Sequence, residues 1–326
     1  MRAAYYEQNG PARDVLRLGE IDTPLPGPGE VRVKLATSGV NPSDVKARSG
    51  STRKIAYPRV IPHSDGAGVI DMVGGGVASA RIGERVWVWN AQWARAFGSC
   101  ADYVTLPSQQ AVRLPASAGF EVGACLGIPA MTAYHAVAVA NAAPGATLLI
   151  SGGAGAVGHY AVQFAKAAGA CVIATISSPE KANAARIAGA DHVIDYKREN
   201  VGERVMAITG KTGVDAIVEL DVAANAELMP QVLRPRGLVV IYGTGAAEAG
   251  MPLMFCLRNA ITLKFIYVYE LDSGERAAAL AGIERALATG TLITNVGAAF
   301  PLADIIAAHE AVEQGQELGN VVVTIG

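Results

Sequence analysis

Charge is in short supply in this chain. Only 17% of its 326 residues are Asp, Glu, Lys or Arg, and 27 basic residues against 29 acidic ones leave a formal net charge of −2. A chain so balanced has no broad field with which to hold nucleic acid or an anionic membrane, so a small anionic ligand would need a local pocket. Cysteine is scarce as well. Cys100, Cys125, Cys171 and Cys256 stand far apart, with no C-x-x-C pair of the kind found in zinc knuckles and redox dithiols, and they read as buried free thiols. No stretch reaches the roughly 18 uninterrupted apolar residues of a membrane span, and the opening MRAAYYEQNGP holds no apolar run of signal-peptide length. The expectation is a soluble, cytoplasmic protein. Internal repeats and low-complexity tracts are also missing.

What the chain does have is apolar material, 51% of all residues, enough for large cores and too much for disorder. At roughly 150 residues per domain its length argues for two domains. The 37 glycines are scattered at strand ends and helix starts with no collagen-like period, as turns and close backbone approaches require.

Residues 1–122 carry short β-like segments such as VRVKLATSGV and ERVWVWN, punctuated by PLPGPGE, the Gly74 to Gly76 run and SGS. From 123 to 268 the texture changes to alternation. ATLLISGG, AVGHYAVQFAKAAGA, CVIATISS, PEKANAARIAGA and DHVIDY follow one another, then VDAIVEL, GLVVIYG and ITLKFIYVYE. Apolar runs of strand length alternating with helical-period segments predict βαβ units and a parallel sheet, an α/β doubly wound fold. Gly169 and Gly189 fall where left-handed helix C-caps are wanted. Residues 269–326 read as two amphipathic helices, RAAALAGIERALATG and ADIIAAHEAVEQ, and a final strand, VVVTIG.

The strongest local signal is SGGAGAVG, residues 151–158. It contains Gly153-x-Gly155-x-x-Gly158 directly after one predicted strand and directly before a helix. Such a turn lets backbone N–H groups and a helix N-terminus approach a pyrophosphate unobstructed, which points to a dinucleotide. The next strand ends Thr175-Ile176-Ser177-Ser178 without the carboxylate that would bind NAD ribose hydroxyls. Glu180 follows Ser178 and Pro179 as N-cap, N1 and N2 of a helix, where it faces the helix dipole. Ser177, Ser178 and Lys181 instead offer hydroxyls, a helix start and a cation, a set suited to a 2′-phosphate, so NADPH is favoured over NADH.

With these segments in view, the chain resembles the medium-chain dehydrogenase/reductases, and within them the zinc-independent quinone oxidoreductases of the zeta-crystallin type. The matching stretches are SGVNPSDVKARSG (38–50), IPHSDGAGVI (61–70), GERVWV (83–88), LGIPAMTAYHAV (126–137), SGGAGAVGHYAVQFAK (151–166), GADHVIDYKREN (189–200) and FPLADIIAAHEAVEQGQELGNVVVTI (300–325). The resemblance implies a β-rich GroES-like catalytic domain built from both chain ends around a Rossmann domain. Zinc-dependent relatives have Cys where this chain has Ser38, and a His-Glu pair where it has Ser64-Asp65. The thiolate and imidazole a catalytic zinc needs are absent from those positions, and His63, one residue away, lacks a Cys partner. No metal is expected. Without a Lewis acid, oxidation of simple alcohols gives way to reduction of an acceptor already electrophilic, a quinone or an α,β-unsaturated carbonyl.

By the same resemblance, nicotinamide-side and substrate-side contacts fall on Asn41, Lys46 and Thr132. Lys46 stands where the family usually has Tyr, and its cation could steady a cofactor phosphate or a developing enolate. Gly155, Ala156 and Val157 are placed against the pyrophosphate and Tyr196 at the adenosine end. Tyr242, Gly243 and Thr244 follow a strand at its ligand-binding end, Phe265, Ile266 and Tyr267 pass the nicotinamide, and Asn320 lies in a late loop near the cofactor. The uncovered apolar strand in ITLKFIYVY predicts pairing with a second copy, a homodimer. The leading expectation is an NADPH-dependent quinone reductase. An enone or enoyl double-bond reductase is its nearest rival, and an NADPH-binding structural or regulatory protein with little turnover is a rival of another class.

Overall fold

The computed structural model describes residues 1–315 and 317–326; Gln316, inside the 300–325 stretch quoted above, lies outside them. The chain divides into two compact units, residues 1–129 with 294–326, and residues 130–293. Both boundaries fall later than the sequence texture suggested.

The first unit begins with β1 (Arg2–Tyr5), β2 (Arg17–Glu20), β3 (Glu30–Val40), α1 (Pro42–Ser49), β4 (Asp65–Val73), β5 (Arg85–Val88), β6 (Tyr103–Pro107) and β7 (Ala111–Arg113). The second unit contributes α2 (Met131–Val139), β8 (Thr147–Ile150), α3 (Ala156–Ala167), β9 (Cys171–Ile176), α4 (Pro179–Ile187), β10 (His192–Asp195), β11 (Val214–Glu219), β12 (Leu233–Ile241), α5 (Leu253–Asn259), β13 (Thr262–Phe265) and α6 (Ser273–Ala288). The chain then completes the first unit with β14 (Val296–Pro301), α7 (Ile305–Gln314) and β15 (Asn320–Thr324).

In the first unit a seven-stranded sheet runs β14-β15-β3-β4-β5-β7, with β6 also paired to β3. Alternation in β3 turns Val31, Val33 and Leu35 into a core with Ile61, Ile70, Val86, Leu106 and Val323. Register places Ser38 opposite Gly66 of β4 on one side and Val323 of β15 on the other, so its hydroxyl belongs to the middle of the sheet.

In the second unit a six-stranded sheet runs β10-β9-β8-β11-β12-β13, all parallel. Renumbered from its first strand this is 3-2-1-4-5-6, the Rossmann order, with the topological switch between β8 and β11. TLLI, CVIATI and much of VDAIVE and GLVVI are buried because helices cover both faces. Gly169 and Gly189 take φ of 88° and 104° after α3 and α4, as C-caps require. Helix α6, expected in the catalytic domain, packs on α2 of this unit. A Cβ on Gly282 would lie 1.9 Å from the Tyr134 ring, so the glycine is what lets the two helices meet. Among the described residues no helix is long and apolar enough to cross a membrane.

Candidate active site

In the second unit the parallel sheet gathers most of the candidate residues at one end. The 151–155 turn leaves β8, Ser177 and Ser178 leave β9, Tyr196 leaves β10, Tyr242 to Thr244 leave β12, and Phe265 to Tyr267 end and follow β13. Those are the carboxyl ends of the strands, where ligands of open α/β sheets bind.

The turn is braced from beneath. Gly152 N–H donates to Thr175 Oγ1 at 3.0 Å and Gly153 N–H to the Thr175 carbonyl at 3.0 Å. Ser151 Oγ donates to Glu219 Oε2 at 2.6 Å, while Glu219 Oε1 takes Asp221 N–H at 2.6 Å and Asn225 Nδ2 at 2.8 Å. Glu219 is a buried carboxylate at the end of the switch strand β11, and the sequence reading missed it. Its signal was one acidic residue closing an apolar strand. Above the brace, Gly155 caps α3 with no side-chain hydrogen bond, so no cap side chain covers the first N–H groups of the helix, at Ala156 and Val157. A Cβ on Gly158 would sit 2.1 Å from the Gly152 carbonyl, so glycine there is what lets helix and turn close up.

Ser178 is the N-cap of α4, its Oγ accepting from Lys181 N–H at 3.3 Å, with Pro179 at N1. Glu180 is held below the usual carboxylate range by Ser178 and the helix start, in keeping with a capping role. Lys181 forms no ion pair among the described residues. Thr132 is buried in the first turn of α2. The Tyr242 phenol is pushed up by burial and then by the Glu219 charge. Thr244 Oγ1 donates to Ala246 O at 2.7 Å, shaping the loop after β12. Tyr196, Phe265 and Tyr267 are more than half exposed.

Asn41, Lys46 and Asn320 belong to the first unit. Asn320 is the first residue of β15, and its N–H and Nδ2 both donate to Asn295 O, at 2.8 and 3.0 Å, so its amide fastens β15 to the start of β14. Lys46 lies on α1, half-buried. Asn41 is the N-cap of α1 and stands between two buried carboxyl groups. Its N–H donates to Asp44 Oδ2 at 2.8 Å and its Nδ2 to Asp65 Oδ2 at 2.8 Å. Both oxygens of Asp65 also face Ile128 N–H, at 2.9 Å each. Desolvation raises the Asp44 carboxyl to about 7 and carries Asp65 well above the ordinary range, with the Asp44 charge adding to the latter.

His63 is fully buried, with its ring between Ser38 and His309. Ser38 Oγ lies 2.8 Å from His63 Nδ1 and 2.8 Å from Ser99 Oγ, and His63 Nε2 lies 3.0 Å from His309 Nε2. These donors do not make a zinc site. A hydroxyl replaces the thiolate, both nitrogens of His63 are engaged, and the Asp65 oxygens hold Asn41 and Ile128.

A family model described as "Alcohol dehydrogenase GroES-like domain" matches residues 27–116, and one described as "Zinc-binding dehydrogenase" matches 156–285. Over 99% of its length the chain is 30% identical to a quinone oxidoreductase of Pseudomonas aeruginosa, covering 98% of that protein. It is 29% identical to a 2-haloacrylate reductase of Burkholderia sp, over 99% of this chain and 98% of the relative. The crystal structure of Escherichia coli quinone oxidoreductase complexed with NADPH superposes with a TM-score of 0.88 over 100% of both chains at 26% identity.

Proposed function

The chain belongs to the quinone oxidoreductase family of the medium-chain dehydrogenase/reductases, and from that membership we propose that it is an NADPH-dependent quinone oxidoreductase working without zinc. The observation that carries the cofactor half is the turn at the β8–β11 switch, where Gly155 leaves the α3 N-terminus clear for a pyrophosphate. A reduced nicotinamide bound there would supply the hydride that, with a proton from solvent, converts a quinone to its hydroquinone. The residues of this chain bind and orient. Gly155, Ala156 and Val157 hold the pyrophosphate, Ser177, Ser178 and Lys181 the 2′-phosphate, and Tyr196 the adenosine end. Thr132, Tyr242, Gly243, Thr244, Phe265, Ile266 and Tyr267 flank the nicotinamide half. Asn41, held rigid by Asp65, and Lys46 are the acceptor contacts that family membership assigns, and Asn320, which fastens β15 to the start of β14, is the late cofactor contact that it assigns. Orientation of this kind can supply much of the rate when the acceptor is already electrophilic.

The test is NADPH oxidation measured with a panel of quinones and a panel of enones. Faster turnover of quinones is expected. Preference for enones would replace this reading with the double-bond reductase that the 2-haloacrylate reductase relative favours. Tight NADPH binding with no turnover in either panel would leave a binding protein. Lys181→Ala is expected to weaken NADPH about tenfold in a fluorescence titration while leaving NADH unchanged, the loss of one charge-assisted phosphate contact. Equal loss for both cofactors would remove the 2′-phosphate assignment.

The chain is further read as a homodimer. Strand β13 is a sheet edge carrying exposed Phe265, beside α5 with exposed Leu253, Met254 and Leu257, and a second copy would cover that edge. Sedimentation velocity at micromolar concentration should give two copies. The four unbridged cysteines suit a reducing, cytoplasmic setting.

A further inference from the structure

The first unit contains a line of fully buried polar side chains that hydride transfer itself does not use. Ser38, His63, Ser99, His309 and Arg48 are all closed to solvent. His63 occupies the left-handed region, φ 78°, a costly conformation for a residue with a side chain. It is held there because Ser99 N–H and Cys100 N–H bond the carbonyls of His63 and Pro62, at 3.0 and 3.2 Å.

His309 and Glu313 lie four residues apart on one face of α7, which packs against α1. Arg48, on α1, bonds the Glu313 carboxylate through Nη2 and Gly10 O through Nη1. Among the described residues its Nε, and Nδ1 of His309, have no hydrogen-bond partner. The two lie close enough for the guanidinium charge to act on the imidazole. A buried N–H and a buried imidazole nitrogen, both without partners, are what an internal water satisfies.

We propose that Arg48, His309, His63 and Ser38 form one directional hydrogen-bond chain, closed by a buried water between Arg48 Nε and His309 Nδ1, and that this chain positions Asn41. Direction follows from counting protons. Burial pushes His63 down to about 3 and His309 well below the ordinary range, so each ring is neutral and carries one N–H. Arg48 Nε is only a donor, and its guanidinium charge acts on the His309 ring, so a water that accepts from Nε turns its own protons away from the cation and favours a bare, accepting His309 Nδ1. His309 then carries its proton on Nε2 and donates to His63 Nε2. His63 carries its proton on Nδ1 and donates to Ser38 Oγ. Ser38 donates to Ser99, which donates to the Asp65 carbonyl. The carboxyl of that same Asp65 holds Asn41 Nδ2. Flipping either imidazole alone would set two donors or two bare nitrogens facing each other across the His63–His309 contact, so the two tautomers are locked together.

The functional half of this inference rests on Asn41 meeting the acceptor, and the tautomer half does not. Long-range 15N–1H spectra of the 15N-histidine-labelled protein, assigned with His63→Gly and His309→Gln, should show at about pH 6 a neutral His63 protonated at Nδ1 and a neutral His309 protonated at Nε2. His63 protonated at Nε2, or either ring charged, overturns the chain whatever the protein reduces. In turnover, His309→Leu should lower kcat with the accepted acceptor roughly tenfold at an unchanged KM for NADPH, the size expected from a small displacement of a contact group. His309→Gln, whose amide can still bond His63, should recover most of it. Equal losses in the two variants, or a rise in the NADPH KM that follows the loss, would reduce the chain to a purely structural role.

Discussion

Gly158→Ala is expected to cost about 3 kcal/mol of stability and to abolish measurable NADPH binding, because its Cβ would lie 2.1 Å from the Gly152 carbonyl. The obstacle is backbone, so no rotamer change relieves it, and the turn must open at the base of α3. Gly155→Ala makes the opposite case. Its φ of −75° suits alanine, and the added Cβ meets only the Gly152 carbonyl, at 3.3 Å. Its stability should therefore change by less than about 1 kcal/mol, as N-cap glycine substitutions generally do. NADPH affinity should nonetheless fall at least about tenfold, since the methyl occupies the space through which a pyrophosphate reaches the helix N-terminus. Urea unfolding and NADPH fluorescence titration on both variants separate damage to the turn from obstruction of the ligand. Unaltered NADPH affinity in Gly155→Ala would mean that this turn does not cradle the cofactor.

The contrast shows why one half of the chain was readable from sequence and the other was not. The Rossmann sheet announces itself locally. Each strand is a short apolar run, each helix has its own period, and the glycine spacing fixes the turn between β8 and α3 within eight consecutive residues. Even the Ser178-Pro179-Glu180 start of α4 could be read, since a cap and its helix are neighbours in sequence. Helix α6 was a clear amphipathic segment, but nothing in its own residues says which core it joins. That depends on Gly282 meeting Tyr134, far earlier in the chain.

The buried polar cluster is the extreme case. His63 could be read only as structural or solvent-facing; the ring is fully buried, and its partners Ser38, Ser99 and His309 come from β3, the segment before β6 and α7, which only the closed sheet brings together. Its left-handed backbone is equally invisible in Pro62-His63-Ser64. Asn320 illustrates a different gap. Its place near the end of the chain matched the family pattern, while the attachment of its amide to Asn295 depends on a strand pairing that no local motif encodes.

Asp44→Asn should make the protein more stable than the parent in a strongly pH-dependent way. The Asp44 carboxyl moves from 3.8 when exposed to about 7 in the folded chain, chiefly because burial strips it of water. A folded-state value raised above the unfolded one means that the folded chain holds the proton more tightly. Below 3.8 the carboxyl is protonated in both states and costs nothing. Between there and 7 the folded chain keeps a proton that the unfolded chain has already lost, so unfolding releases a proton and rising pH drains stability away, and above 7 the full penalty stands. Asparagine keeps an oxygen for the Asn41 N–H and carries no proton to lose. Its advantage over aspartate should widen by about 2–3 kcal/mol between roughly pH 5 and pH 8, at 1.36 kcal/mol per unit. Two neighbours modulate the figure. The Arg53 charge favours ionised Asp44, and removing the Asp44 charge also lets Asp65 ionise more readily. Urea unfolding of both proteins across that range measures the gap. A gap that stays constant with pH would mean that Asp44 is already ionised at the lower end, held so by Arg53 and its N–H donors despite its burial.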